Sequence, residues 1–124
     1  MVSFDYDNTL TREDVQEFCK DLLVQGYDVY VTTARYNDDN VWRWNYVPNN
    51  NDLYATIDKL GISRERVHFT NMMPKAEYLA TKNFIWHLDD DIIELENIKE
   101  AKLETKGIPL LIGNWKHKCK KLLK

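Results

Sequence analysis

A few side chains in this sequence could together handle a phosphate. Asp5 and Asp7 stand two apart behind the short run Val2-Ser3-Phe4. Thr33 closes a β-branched and aromatic run, Lys75 follows Pro74, and Asp89, Asp90 and Asp91 follow the apolar stretch that begins at Phe84. If Asp5 and Asp89 meet, their carboxylates repel and raise each other's pKa unless something compensates. A Mg²⁺ ion would, because it prefers hard oxygen ligands and keeps several waters. The ion would also screen the charge of an incoming phosphate. Thr33 offers a hydroxyl donor and Lys75 a point charge for a phosphate oxygen. Backbone N–H groups in the turn after Asp5 add anion-binding donors.

That chemistry requires elements that bring the residues to one place. Strand patterns are expected at 2–5, 28–33, 67–70, 84–88 and 108–112, where β-branched and aromatic residues concentrate. Between them the apolar spacing turns helical. Val15, Phe18, Cys19, Leu22 and Leu23 form one stripe, with Thr11 as the expected N-cap and Gly26 as the stop. Leu53, Ile57 and Leu60 form a second, stopped by Gly61. Pro74 suits the first turn of a short helix. Asp91 opens a helix expected to run to about Thr105 and close at Gly107, and a short basic helix follows Asn114. Strands alternating with helices predict an α/β fold: a central parallel five-stranded sheet with helices on both faces. Ligands of such sheets bind outside the carboxyl ends of the strands. Every expected strand end but the last supplies, or leads to, a carboxylate, hydroxyl or ammonium.

The stretch Val2-Ser3-Phe4-Asp5-Tyr6-Asp7-Asn8-Thr9-Leu10 resembles motif I of the haloacid dehalogenase (HAD) superfamily, a hydrophobic strand followed by D-x-D-x-T. Thr33 in Val-Thr-Thr-Ala-Arg is similar to motif II, Lys75 to motif III and Asp89-Asp90 to motif IV, in the family's order and over residues 2–112. Receiver domains, which share acids, Thr and Lys on a similar sheet, place the Lys after the fifth strand; here Lys75 precedes the Asp89 cluster. No G-x-x-x-x-G-K-[ST] loop and no G-x-G-x-x-G is present. The resemblance implies a HAD-like, Rossmannoid three-layer sandwich and a Mg²⁺-dependent phosphomonoester hydrolase. It casts Asp5 as the nucleophile that becomes an aspartyl-phosphate and Asp7 as the acid that protonates the leaving oxygen and then activates water. It assigns the metal to the Asp5 carboxylate, the Asp7 main-chain carbonyl and Asp89, with Asp90 in support. It assigns the phosphoryl oxygens to Thr33 and Lys75, together with Tyr6 and Ala34. Thr32 and Thr33 must face opposite ways in a strand; Thr33, directly before Ala34-Arg35, is the one chosen. Which of Asp89, Asp90 and Asp91 touches the metal stays open.

The 124 residues fit one domain, residues 1–124. A net charge of −3 argues against nucleic-acid binding over the whole surface. No apolar run is long enough to span a membrane, and no secretory signal pattern is seen, so a cytoplasmic location is expected. Cys19 and Cys119 are expected as reduced, buried thiols. The gaps between the motifs hold single helices and strands and no cap domain. In the HAD family an open site goes with macromolecular substrates or with a lid from another subunit. The segment Arg35–Asn51 is the candidate recognition wall, through Arg35, Trp42, Arg43 and Trp44, since aromatic faces stack on bases. Nucleotides or nucleic-acid 3′-phosphate ends are the substrate class this favours. The alternatives are a non-catalytic HAD-like binding module and a partner-dependent end-processing subunit.

Overall fold

The computed structural model describes residues 1–38 and 48–123. Five strands form one parallel sheet: β1 (Val2–Phe4), β2 (Val29–Thr33), β3 (Val67–Phe69), β4 (Trp86–Asp89) and β5 (Lys106–Pro109), in the order β3-β2-β1-β4-β5. The chain steps outward from β1 through β2 to β3, then crosses back to lay β4 on the other side of β1. The strands adjoining the reversal are β2, β1 and β4, and a crevice opens at their carboxyl ends.

The two-residue alternation of the strands divides the sheet into two faces. Val2, Phe4, Val31, Trp86, Leu88 and Ile108 belong to the larger core, together with apolar residues of α1 (Glu13–Val24), α2 (Asn51–Leu60) and α5 (Trp115–Leu122). Phe4 meets Trp86 edge-on with centroids 5.3 Å apart, and Phe18 of α1 stacks on Trp86. The Trp86 indole N–H donates to the Cys119 carbonyl at 3.1 Å, which anchors α5. The other face carries Ser3, Tyr30, Thr32 and His87. A smaller core there joins Phe84 and Tyr30 to α3 (Lys75–Leu79) and α4 (Ile92–Glu100). Cys19 and Cys119 are free thiols in the larger core. Among the described residues no helix is long and apolar enough to cross a membrane.

Several expected boundaries move. Thr11 does not cap α1; Arg12 holds the extended cap position, and its guanidinium pairs with Asp14 at 2.6 Å. Pro74 stands at the cap of α3, just outside its first turn. Strand β4 starts at Trp86, because Phe84 turns into the smaller core. Helix α4 ends at Glu100, and Lys102 turns left-handed at φ 54°. Gly107 is therefore a strand residue, and it packs closely against α4: a Cβ there would stand 3.0 Å from the end of the Leu95 side chain, which would have to shift. Strand β5 is Lys106–Pro109 and not 108–112; Ile108 pairs beside Leu88, while Leu111 and Ile112 project into solvent. By contrast, Gly26 and Gly61 follow α1 and α2 with φ of 91° and 83°, as their positions in the sequence require.

Candidate functional site

The sheet delivers the acids to its carboxyl edge by simple continuation. Asp5 follows β1, and its N–H donates to the Leu88 carbonyl at 2.9 Å, fastening β1 to β4. Asp89 is the last residue of β4. Between the two carboxylates lies Lys75, the first residue of α3. Its ammonium donates to Asp5 Oδ1 and to Asp89 Oδ2, each at 2.7 Å. The three groups are buried.

A chain of hydrogen bonds supports this centre from below. His87 Nε2 lies 2.8 Å from Asp89 Oδ2, and His87 Nδ1 lies 2.8 Å from Ser3 Oγ, which in turn lies 2.8 Å from Thr32 Oγ1. Burial pushes the His87 pKa below its ordinary value, against the upward pull of Asp89. A neutral ring donates once and accepts once. Its Nε2–H therefore goes to the Asp89 carboxylate, and its Nδ1 accepts from Ser3. On the other flank, the Thr9 hydroxyl is 3.0 Å from Asp5 Oδ2 and 3.2 Å from Asp90 Oδ1, so one proton serves two carboxylates. Asp91 caps α4: its side chain accepts the Ile93 N–H at 2.9 Å, and its own N–H donates to Asp89 Oδ1. Glu94 accepts the Lys75 backbone N–H.

The charges do not balance. Burial pushes the Asp5 carboxyl well above the usual carboxylate range; Lys75 pulls it down, while Asp89 and the contact with Asp90 raise it further. Burial also opposes the charges of Asp89 and Lys75. The contacts from His87 and Lys75 nevertheless hold Asp89 well below its usual range, and Asp5 and Asp89 raise Lys75. Asp5, Asp89 and Asp90 each present an oxygen, and these oxygens lie within 4.8 Å of one another. Counted as fully ionised, the three carboxylates exceed the one ammonium by two formal negative charges, an excess that the raised Asp5 pKa reflects. A dication of oxygen preference fits that donor set and that excess.

The second acid of the motif sits in a different environment. Asp7 is half exposed and held by Arg35 through two hydrogen bonds, at 2.7 and 3.0 Å. Arg35 grips Asp52 at the start of α2 with its remaining donors, at 2.7 and 2.8 Å, and lies 4.9 Å from the centre of the Tyr6 ring. Asp5, Asp7, Ala34, Lys75, Asp89 and Asp90 all line one open cleft of about 530 Å³. Thr33 is buried at the end of β2, with its Oγ1 accepting the Arg35 N–H at 3.3 Å, and it is not in that lining. Thr32 faces Ser3 on the opposite side, as strand alternation demands. The Tyr6 side chain is buried, and its hydroxyl meets Thr56. Trp42, Arg43 and Trp44 lie outside the described residues.

Three partners were not anticipated from the sequence, Ser3, His87 and Glu94, while Thr9 was visible only as the last residue of D-x-D-x-T, with no role assigned. His87 had a readable signal, since it stands two before Asp89 in a strand and must share its face. Nothing local in the sequence marks Glu94. Comparison with protein-family models, with curated proteins and with solved structures gives no match to this chain.

Proposed function

We propose that this chain is a Mg²⁺-dependent phosphomonoester hydrolase of HAD type, working through an aspartyl-phosphate on Asp5. The observation that carries the reading is the convergence of Asp5, Lys75 and the pair Asp89-Asp90 from three separate segments onto one cleft that holds more carboxylates than cations. A purely structural ion pair has no use for the third carboxylate.

Asp5 Oδ1 and Oδ2 are fixed by Lys75 and Thr9, so the nucleophile has one orientation. Asp5, Asp89 and Asp90 would hold the cation, together with the Asp7 carbonyl; when bound, it neutralises phosphoryl charge as the bond to the leaving oxygen breaks. Lys75, itself anchored by Asp89, keeps a positive charge against the attacking carboxylate and the phosphoryl oxygens. Asp7 lines the same cleft on the solvent side, where it can give a proton to the leaving oxygen and later take one from water. Arg35 holds the Asp7 carboxylate at that position. Placement and charge neutralisation supply most of the rate gain in phosphoryl transfer. Among the described residues no second domain stands over the cleft.

Rapid acid quenching during turnover, followed by mass spectrometry of the peptides, tests the covalent step. A phosphoryl adduct on Asp5 is expected. An adduct elsewhere, or turnover of an alkyl phosphate with none, contradicts it.

A further inference from the structure

We infer that the cleft selects phosphomonoesters whose leaving group is uncharged and apolar, and discriminates against those that carry further anionic groups. This rests on the hydrolase reading and adds the substrate class. The first ground is charge. Among the described residues, the two cations at the cleft are spent on carboxylates: Lys75 on Asp5 and Asp89, Arg35 on Asp7 and Asp52. Beyond the three candidate metal ligands, the lining adds Asp7, Asp91 and Glu94. The reacting phosphate has the candidate dication to meet it, with Lys75 beside it already shared by Asp5 and Asp89; a second phosphate or carboxylate on the leaving group meets acids. Residues 39–47, outside the described residues, add one Asp and one Arg. The lysine-rich α5 does not change the charge at the cleft. Its end meets Tyr27, just before β2, at the amino edge of the sheet and opposite the cleft.

The second ground is the rim. Ile92 and Ile93 line the cleft and are 62% and 70% exposed, held there by the Asp91 cap. The loop carrying Met72 and Met73, both exposed, is tied to the Ala34 and Arg35 carbonyls by the Met72 and Asn71 N–H groups. It runs between Ala34 and Lys75, two residues of the lining. Scattered exposed apolar residues are ordinary, but the adjacent pair Ile92 and Ile93 stands on the wall of the cleft itself, where it offers a leaving group an apolar contact.

Three alkyl phosphates separate the ideas, each assayed with Mg²⁺. Benzyl phosphate has an apolar leaving group, glycerol phosphate a neutral polar one, and phosphoglycerate replaces a hydroxymethyl by a carboxylate. We expect kcat/KM to fall about tenfold at each step in that order. Added KCl should narrow the gap between the last two by screening repulsion. The double variant Ile92→Ser/Ile93→Ser should lose about tenfold on benzyl phosphate alone, with its thermal melt unchanged. Equal rates for glycerol phosphate and phosphoglycerate, or an unaltered benzyl phosphate rate in the double variant, overturn the inference and leave the hydrolase standing. Release from none of the three defeats the hydrolase reading and the inference with it.

Discussion

Two triads, each a basic side chain between two aspartates, stand at the carboxyl edge of the sheet. In the inner one, Lys75 lies between Asp5 and Asp89, with side chains 3%, 7% and 0% exposed. In the outer one, Arg35 lies between Asp7 and Asp52, at 23%, 51% and 56%. The contact lengths are alike, all near 2.7 Å at the shortest. Their energetics are not. Water screens the outer triad, so it contributes little stability and serves mainly to hold Asp7 and tie β2 to α2. The inner triad gave up its hydration, and three buried ionic groups are a poor means to stability. The proposed function gives that arrangement a use, as the place where a phosphate and a dication would be received.

Breaking the inner triad should have the largest effect. Lys75→Met leaves Asp5 and Asp89 buried and unmatched, and it should cost about 3–5 kcal/mol in denaturant unfolding. Mg²⁺ should recover part of that loss by taking over the missing charge; a deficit indifferent to Mg²⁺ would separate the triad from the metal. Breaking the outer triad should be mild for stability and visible in turnover. Arg35→Met should change unfolding by less than about 1 kcal/mol. It should lower kcat about tenfold by freeing Asp7. If the variant unfolds as readily as Lys75→Met, the contrast between the triads is wrong.

The smallest expected effect is in acid. Arg35 holds the Asp52 carboxyl at about 2, below its ordinary 3.8. A lowered folded pKa means that the contribution is complete above the unfolded value and is lost as pH falls through the folded one. The stability difference between wild type and Arg35→Met should therefore be constant down to about pH 4 and vanish between there and about pH 2. Added salt should shrink it throughout.

Legibility in the sequence followed the same divide between what is local and what is not. Gly26 and Gly61 mark helix ends because only glycine takes those φ values without strain. The parallel sheet was readable because each strand pattern is followed by a helical one, and Asp5 and Asp89 were readable as strand ends. Strand β5 was misplaced because a short apolar run carries no phase: Ile108 to Ile112 reads equally well in several registers, and contact with Leu88 and Leu95 decides among them. Arg35 was legible only as a recognition residue. Its partners Asp7 and Asp52 come from two other segments, and ion pairs between distant segments leave no spacing to read. The same holds for Glu94 on the Lys75 backbone. Thr33 was correctly separated from Thr32 by alternation, yet its hydroxyl is engaged by the Arg35 N–H.

The central claim is that Asp5 attacks phosphorus in a site completed by a dication. The most direct measurement is the initial rate of phosphate release from para-nitrophenyl phosphate by wild type and Asp5→Asn, with MgCl₂ and with EDTA. Release by wild type should need Mg²⁺, stop with EDTA and return when Mg²⁺ is restored. Asp5→Asn should lose at least about a thousandfold if Asp5 is the nucleophile. Turnover by Asp5→Asn at the wild-type rate, or release that continues in EDTA, would contradict the claim.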